Sequence, residues 1–280
     1  DLQQDSESVQ ARLEELCVPS LRLIPRKRSK WKSRIGGLPE APADFVWPTL
    51  ADGEPLTFVA QIDLAELRQA GLPGAADLPA RGALAFFHGL ESAPGETHLG
   101  NAGRVLFFDG TAPLKAVNAP AHPAFHALPK TALTLDLQTE ELPPLESVFY
   151  PLMLADSGTA EGDLYAAAAA RFGDFVAVYG QRGVRDEDER PVHRVLGYAD
   201  PLQADVYQCS EGNAAKLPFE RWTAVETLRA ASRFRLLLQV DSDPEAGLLF
   251  GDGGVLYFMI REDDLAARRF DRVWVDWQSH

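Results

Sequence analysis

The sequence predicts a β-rich α+β domain, internally duplicated into two pseudo-twofold-related halves, with short helices between the strands. Three observations carry that expectation. Apolar residues alternate with a period of two in short runs bounded by Gly, Pro and Asp. The same runs recur in the same order in the second half of the chain. The helical stretches between them are short and the loops long, which favours α+β over a parallel βαβ sheet.

Taken in order, a first helix is expected over residues 6–18. Asp5 or Ser6 caps it, Val9, Leu13 and Leu16 recur at helical spacing, and Pro19 stops it. A basic arm follows from Arg22 to Arg34, holding seven cations and no acid. Gly36, Gly37 and Pro39 break the pattern, and Pro42 and Pro48 keep the backbone extended. Thr57–Asp63 reads as a strand with Phe58, Ala60 and Ile62 on one face and Val59, Gln61 and Asp63 on the other. Asp63-Leu64-Ala65-Glu66 opens a short helix that ends near Gly71. Gly82–Phe87 and Arg104–Phe108 read as two further strands. Pro143, Pro144 and Pro151 mark a connection through which apolar residues continue, and helices are expected near 163–172, 219–230 and 263–268.

The duplication rests on four matched blocks. Arg235–Asp241 (RLLLQVD) matches Thr57–Asp63 (TFVAQID), and Gly254–Met259 matches Gly82–Phe87. Arg272-Val273 matches Arg104-Val105, and Val195–Ala199 matches Ile35–Pro39 more faintly. The copies stand 160 to 178 residues apart throughout. The expected organisation is one compact domain over 1–280, built from repeats of about 22–145 and about 148–280. Periods of 20–50 residues, the mark of solenoids, are absent.

At 280 residues and a net charge of −14, the chain can build a substantial core. It is a poor electrostatic match for duplex nucleic acid or an anionic membrane. A basic protein suits it better as a partner, although solubility alone also explains an acidic surface. Two cysteines without paired spacing fit a reducing compartment. The polar, acidic opening is unlike a secretory signal, and the expected location is cytoplasmic. The chain opens on Asp1 rather than Met, which leaves open whether residues precede it.

KSRIGGLP, PLTFVAQIDL and LPARGALAFF in the first half resemble the YwqG-like family of uncharacterised bacterial proteins. HRVLGYADPLQADV, RLLLQVDSD and GLLFGDGGVLYFMIREDDLAARRFDRVWV in the second half do the same. The resemblance implies a duplicated β-rich domain and supplies no catalytic residues. It also implies, through neighbouring polymorphic-toxin genes, a toxin-neutralising role. Leu196 stands where such sequences commonly carry glycine, a departure that bears on packing.

Candidate site residues remain few. Gln61 with Asp63, and Gln239 with Asp241, are polar pairs at the ends of apolar strands. They either line a pocket between the halves or satisfy backbone groups and cap helices. Asp241, Asp243, Glu245 and Asp252 occupy positions 1, 3, 5 and 12 of a calcium-loop template. Ala246 takes the glycine position, Pro244 intrudes, and strands flank the segment, so a turn and hairpin fit it better. His88 follows a Phe-Phe strand and His193 precedes the second-half glycine motif; either could sit at a cleft or be a hydrogen-bonded structural group. His122 and His126 are separated by Pro123 and cannot form a zinc-binding helix pair. With Trp31 interleaved, the segment Arg22–Arg34 either contacts single-stranded nucleic acid or lies along the acidic surface. No nucleophile, phosphate loop or cofactor motif is present. The sequence favours a non-enzymatic binding protein, an immunity-type partner of a basic toxin. The alternative is an enzyme or small-molecule binder with its pocket between the repeats.

Overall fold

The computed structural model describes residues 11–90, 102–123, 125–156, 158, 164–179 and 191–280. The first part of the chain forms β1 (Val18–Arg26), β2 (Arg34–Ile35), β3 (Glu40–Ala41), β4 (Thr57–Asp63) and α1 (Leu64–Gln69). It continues through β5 (Ala83–His88), β6 (Gly103–Phe108), β7 (Lys115–Ala116) and β8 (Thr131–Glu141). Next come α2 (Phe149–Asp156), α3 (Leu164–Tyr179), β9 (His193–Leu196), α4 (Val206–Ala214) and α5 (Val225–Ala231). The last elements are β10 (Phe234–Asp241), β11 (Val255–Arg261), α6 (Glu262–Ala266) and β12 (Trp274–Gln278). No helix among the described residues is long and apolar enough to cross a membrane.

Ten strands share one antiparallel sheet in the order β12-β11-β10-β9-β1-β8-β2-β4-β5-β6, and β3 pairs with β7 apart from it. The arrangement is β-rich, with short helices on its surface. Two half-sheets of five strands abut where β1 meets β8, with Arg22 opposite Asp136 and Arg26 opposite Ala132. Each of these two strands also pairs across: β1 with β9 and β8 with β2.

The expected basic arm is therefore part sheet, with Arg22 and Arg26 in β1, Arg34 in β2, and Lys27, Arg28, Lys30 and Lys32 in the connection between them. Leu21 and Leu23 are buried while Arg22 and Ile24 are partly exposed, the alternation of a half-buried strand. The cations follow the outward positions of β1 and the turn that leads to β2. The first helix is also shorter than expected. Residues 11–14 are helical and β1 begins at Val18, because pairing of Val18 with Glu141 draws the backbone into the sheet. Residues 6–10 of that expectation lie outside the described residues.

The expected alternation in β4 is broken in the middle. Its register against β5 shifts between Phe58 and Ala60, a β-bulge that gives two residues to one partner. As a result Val59, Ala60 and Ile62 all join the main core, while Phe58 packs in a separate outer cluster. The register of β10 against β11 shifts likewise between Leu236 and Leu238. Leu237, Leu238 and Val240 turn inward there, and Leu236 outward.

The sheet curls until its two ends touch. Phe86 of β5 meets Phe258 of β11 at 5.0 Å between ring centroids. Gly103 of β6 lies so close to Val275 of β12 that a Cβ there would stand 2.0 Å from Cγ2. One apolar core from both half-sheets fills the space inside. Outside, aromatic loop residues Phe45 and Trp47 cover the first half-sheet, whereas α2, α4 and α5 cover the second.

The turns after β2 and β9 share one shape. Gly36 and Gly37 take φ of 66° and 75°, and Leu196 and Gly197 take 57° and 73°. A left-handed leucine is strained, and Leu196 is held there by packing against the main core. Gly197 has no such latitude, since an added Cβ would lie 2.5 Å from Ser20 Cβ and 2.7 Å from Glu141 Oε2. Gly197→Ala is therefore expected to destabilise the fold by more than about 2 kcal/mol, measured by chemical denaturation.

Candidate functional site

Two clusters of buried polar side chains form where β2 and β9 meet their neighbours. In the second half Arg194 lies opposite Gln239 across β9 and β10. Its Nη2 is 2.6 Å from Asp200 Oδ2, and its Nη1 donates to Glu141 Oε2 and to the Tyr198 carbonyl at 3.1 Å each. Gln239 completes the cluster, accepting from the Asp200 backbone N–H and donating to the Val192 carbonyl and Asp200 Oδ2. Burial by itself lowers the affinity of Arg194 for its proton, but Asp200 and Glu141 outweigh it and raise the pKa.

In the first half Arg34 lies opposite Gln61 in the same way. Nη2 of Arg34 donates to the Leu38 carbonyl at 2.9 Å and to Gln61 Oε1 at 3.1 Å. Gln61 accepts from the Glu40 N–H and donates to the Glu40 carbonyl. As around Arg194, the arginine donates to the carbonyl four residues on and the glutamine accepts from the N–H six residues past the arginine, but among the described residues no carboxylate pairs with Arg34. Burial holds its guanidinium below the ordinary arginine value, with Glu40 acting against the shift.

The residues preceding the two arginines also correspond. His193 Nδ1 accepts from the Asp241 N–H at 3.0 Å, which leaves Nε2 to carry the ring proton toward Asp243 Oδ2 at 3.5 Å. Ser33 Oγ accepts from the Asp63 N–H at 3.0 Å and donates to Glu66 Oε2 at 2.7 Å. Both side chains are buried, so neither His193 nor Ser33 presents a free polar atom for chemistry on a substrate. Asp63 caps α1 through Ala65 and Glu66, and Asp241 accepts from the Val192 N–H.

The calcium-loop residues do not converge. Asp241 faces Val192, and Asp243 faces His193 and the Ala246 N–H. Glu245 and Asp252 are exposed. The segment is a turn closed by reciprocal backbone bonds between Asp243 and Leu248 at 2.8 Å. Among the described residues no three His, Cys, Asp or Glu side chains are placed to hold a metal ion.

His88 is 1 % exposed, at the end of β5 rather than on a surface. It stands edge-on to Trp277 of β12 at 5.9 Å, where the ends of the sheet meet. Burial pushes its pKa down to about 4.

Two hollows border these clusters. A groove of about 780 Å³ crosses the outer side of the central strands. Arg22, Arg26, Lys27 and Lys130 line it with Asp136, and Asp243 and Glu245 form part of its other wall. It collects two of the calcium-loop residues but none of Gln61, Gln239, His88 or His193. A smaller cavity of about 240 Å³ is lined by Lys32, Arg34, Glu40, Gln61, Asp63, Ala83 and Leu114. Sequence reasoning singled out Gln61 and Asp63 but missed Arg34. Its signal was present, since Arg34 and Arg194 stand at matching places in the two glycine motifs.

The family model described as "Domain of unknown function (DUF1963)" matches residues 33–279. No curated protein matches the chain.

Two outcomes follow from the buried charges. Asp200→Asn leaves Arg194 with one carboxylate, and a loss of about 3 kcal/mol is expected from breaking a buried pair, read from denaturant midpoints at pH 7. His88 is neutral in the fold and takes a proton more readily when unfolded. Its contribution is thus complete above pH 6.5 and declines as pH falls toward 4, by a total of order 3 kcal/mol. Wild type is expected to lose more stability across that window than His88→Phe, in parallel denaturation series.

Proposed function

We propose that this chain, which belongs to the DUF1963 family, is a non-enzymatic binding protein that takes its ligand in the groove across β1 and β8. The observation that carries the reading is the groove itself: four cations gathered in a chain of net charge −14, around a groove that Asp136, Asp243 and Glu245 also line. A lining of both signs suits a polypeptide segment that also carries both. Its volume lies in the range of ligand-sized clefts. The commitment of Ser33 and His193 to buried hydrogen bonds supports binding over catalysis.

The same reading includes a duplicated origin. The matched arginine, glutamine and bulge positions support two copies of one unit within a single domain over 1–280. The leading strand of each copy, β1 or β8, is then paired with the other copy, which moves the start of the second copy to about Thr131. The core shared by the halves is packed with apolar side chains, which counts against an enzyme pocket inside their interface and leaves the outer groove.

A second reading is an immunity-type partner that masks a basic toxin in the cytoplasm. It is favoured by the net charge of −14 and by the resemblance to YwqG-like proteins, and it uses the acidic surface outside the groove. One experiment separates the two. Immobilised wild type and the double variant Arg26→Glu/Lys27→Glu are offered host lysate at low and moderate salt. Groove binding predicts a salt-sensitive partner that the variant retains at least tenfold less. Equal or better retention by the variant moves the contact to the acidic surface. No retained partner for either protein overturns both protein-binding readings.

A further inference from the structure

The two arginine clusters act as controls for each other. Arg194 shows what a buried arginine in this setting takes as partners: two carboxylates, Asp200 and Glu141, within 2.6 and 3.1 Å. Arg34 is 6 % exposed, has the matching carbonyl and glutamine, and has neither carboxylate. Its Nη1 makes one long contact, 3.4 Å to the Lys32 carbonyl, and its Nε, like that of Arg194, has no partner among the described residues, so the contrast between the two lies in the carboxylates. The residue that matches Asp200 is Glu40, whose side chain is exposed and forms no ion pair with Arg34. A buried guanidinium without a counter-charge is strongly unfavourable. The cavity of about 240 Å³ opens against this one.

We propose that this cavity binds a small carboxylate anion, with Arg34 as its counter-ion. The bound carboxylate does for Arg34 what Asp200 and Glu141 do for Arg194. A planar guanidinium matches a carboxylate in shape as well as charge. The volume holds a ligand of a few heavy atoms, given about 30 Å³ for one water. Lys32, paired with Asp63 at 3.8 Å and largely exposed, adds a second cation, while Glu40 and Asp63 in the lining disfavour a dianion. The site is separate from the groove, so either can exist without the other.

The test is an NMR titration of the intact chain with sodium acetate, against sodium chloride at equal ionic strength. Saturable shifts of the Leu38 and Glu40 amides and of the Arg34 Nε–H are expected with acetate and not with chloride. Glu40→Gln removes the competing carboxylate and is expected to bind acetate at least threefold more tightly. Arg34→Gln is expected to abolish the shifts. Since that variant removes a buried group, the Glu40→Gln comparison stands where it fails to fold. The proposal is overturned by no saturable shift in wild type, by shifts confined to other residues, or by inorganic phosphate binding more tightly than acetate. It is equally overturned if acetate binds to Glu40→Gln alone, because Glu40 is then Arg34's own partner.

Discussion

The ladder between β1 and β8 is the constraint on which the rest of the structure depends. Among the described strands it is the pairing that joins one half-sheet to the other. It runs from Val18 opposite Glu141 to Arg26 opposite Ala132. Its inner side supplies Leu21, Leu23, Leu133 and Leu135 to the main core, and its outer side supplies the floor of the groove. At the far ends of the sheet β6 comes up against β12, Gly103 beside Val275, and His88 of β5 stands edge-on to Trp277. The curl is thus hydrogen-bonded at its middle and closely packed at its seam. Inside, rings such as Phe86 and Phe258 bury area that neither half-sheet could bury alone.

The arginine–glutamine clusters follow from that geometry. β2 and β9 are short strands wedged beside the central pair, and each leaves it through a left-handed turn. The turn exposes carbonyls and N–H groups that the sheet cannot satisfy, and such groups must find partners when buried. A long amide side chain from β4 or β10 reaches them from one side and an arginine from the other. Where the halves differ is in charge. The second half closes the arrangement with two carboxylates, so Arg194 is neutralised within the chain. The Arg34 guanidinium is met by carbonyls, an amide and, at 5.9 Å, the Phe58 ring, which offset less of its charge than a carboxylate would.

The strands β4, β5, β6, β10, β11 and β12 were legible in the sequence as apolar runs, as was the match of Gln61 with Gln239. β8 was legible too and went unread, although Leu133, Leu135 and Leu137 alternate with Thr134 and Asp136. β1 was hidden by charge. A run of cations reads as a solvated arm unless Leu21 and Leu23 are weighed as the inner face of a strand. The bulges at Phe58–Ala60 and Leu236–Leu238 were not legible, because one extra residue reverses the faces and leaves no mark in composition. The position of His88 was not either. Alternation says that a residue is on a buried face, and it cannot say that the two ends of a sheet will meet over it.

The same reasoning explains why the conspicuous polar residues and the candidate binding surfaces differ. Gln239, His193 and Asp241 attract notice because polar groups are rare within apolar strands. They are there to satisfy backbone and carboxylate groups that burial would otherwise leave unpaired. Groups fixed in that way lend rigidity and are poorly placed to exchange partners. Binding needs polar groups that remain accessible or only partly neutralised, and in this chain those are the outward cations of β1 and the under-compensated Arg34. Both belong to the basic segment Arg22–Arg34, which the fold takes through the centre of its sheet. An acidic protein thereby places five of that segment's seven cations against its groove and its cavity.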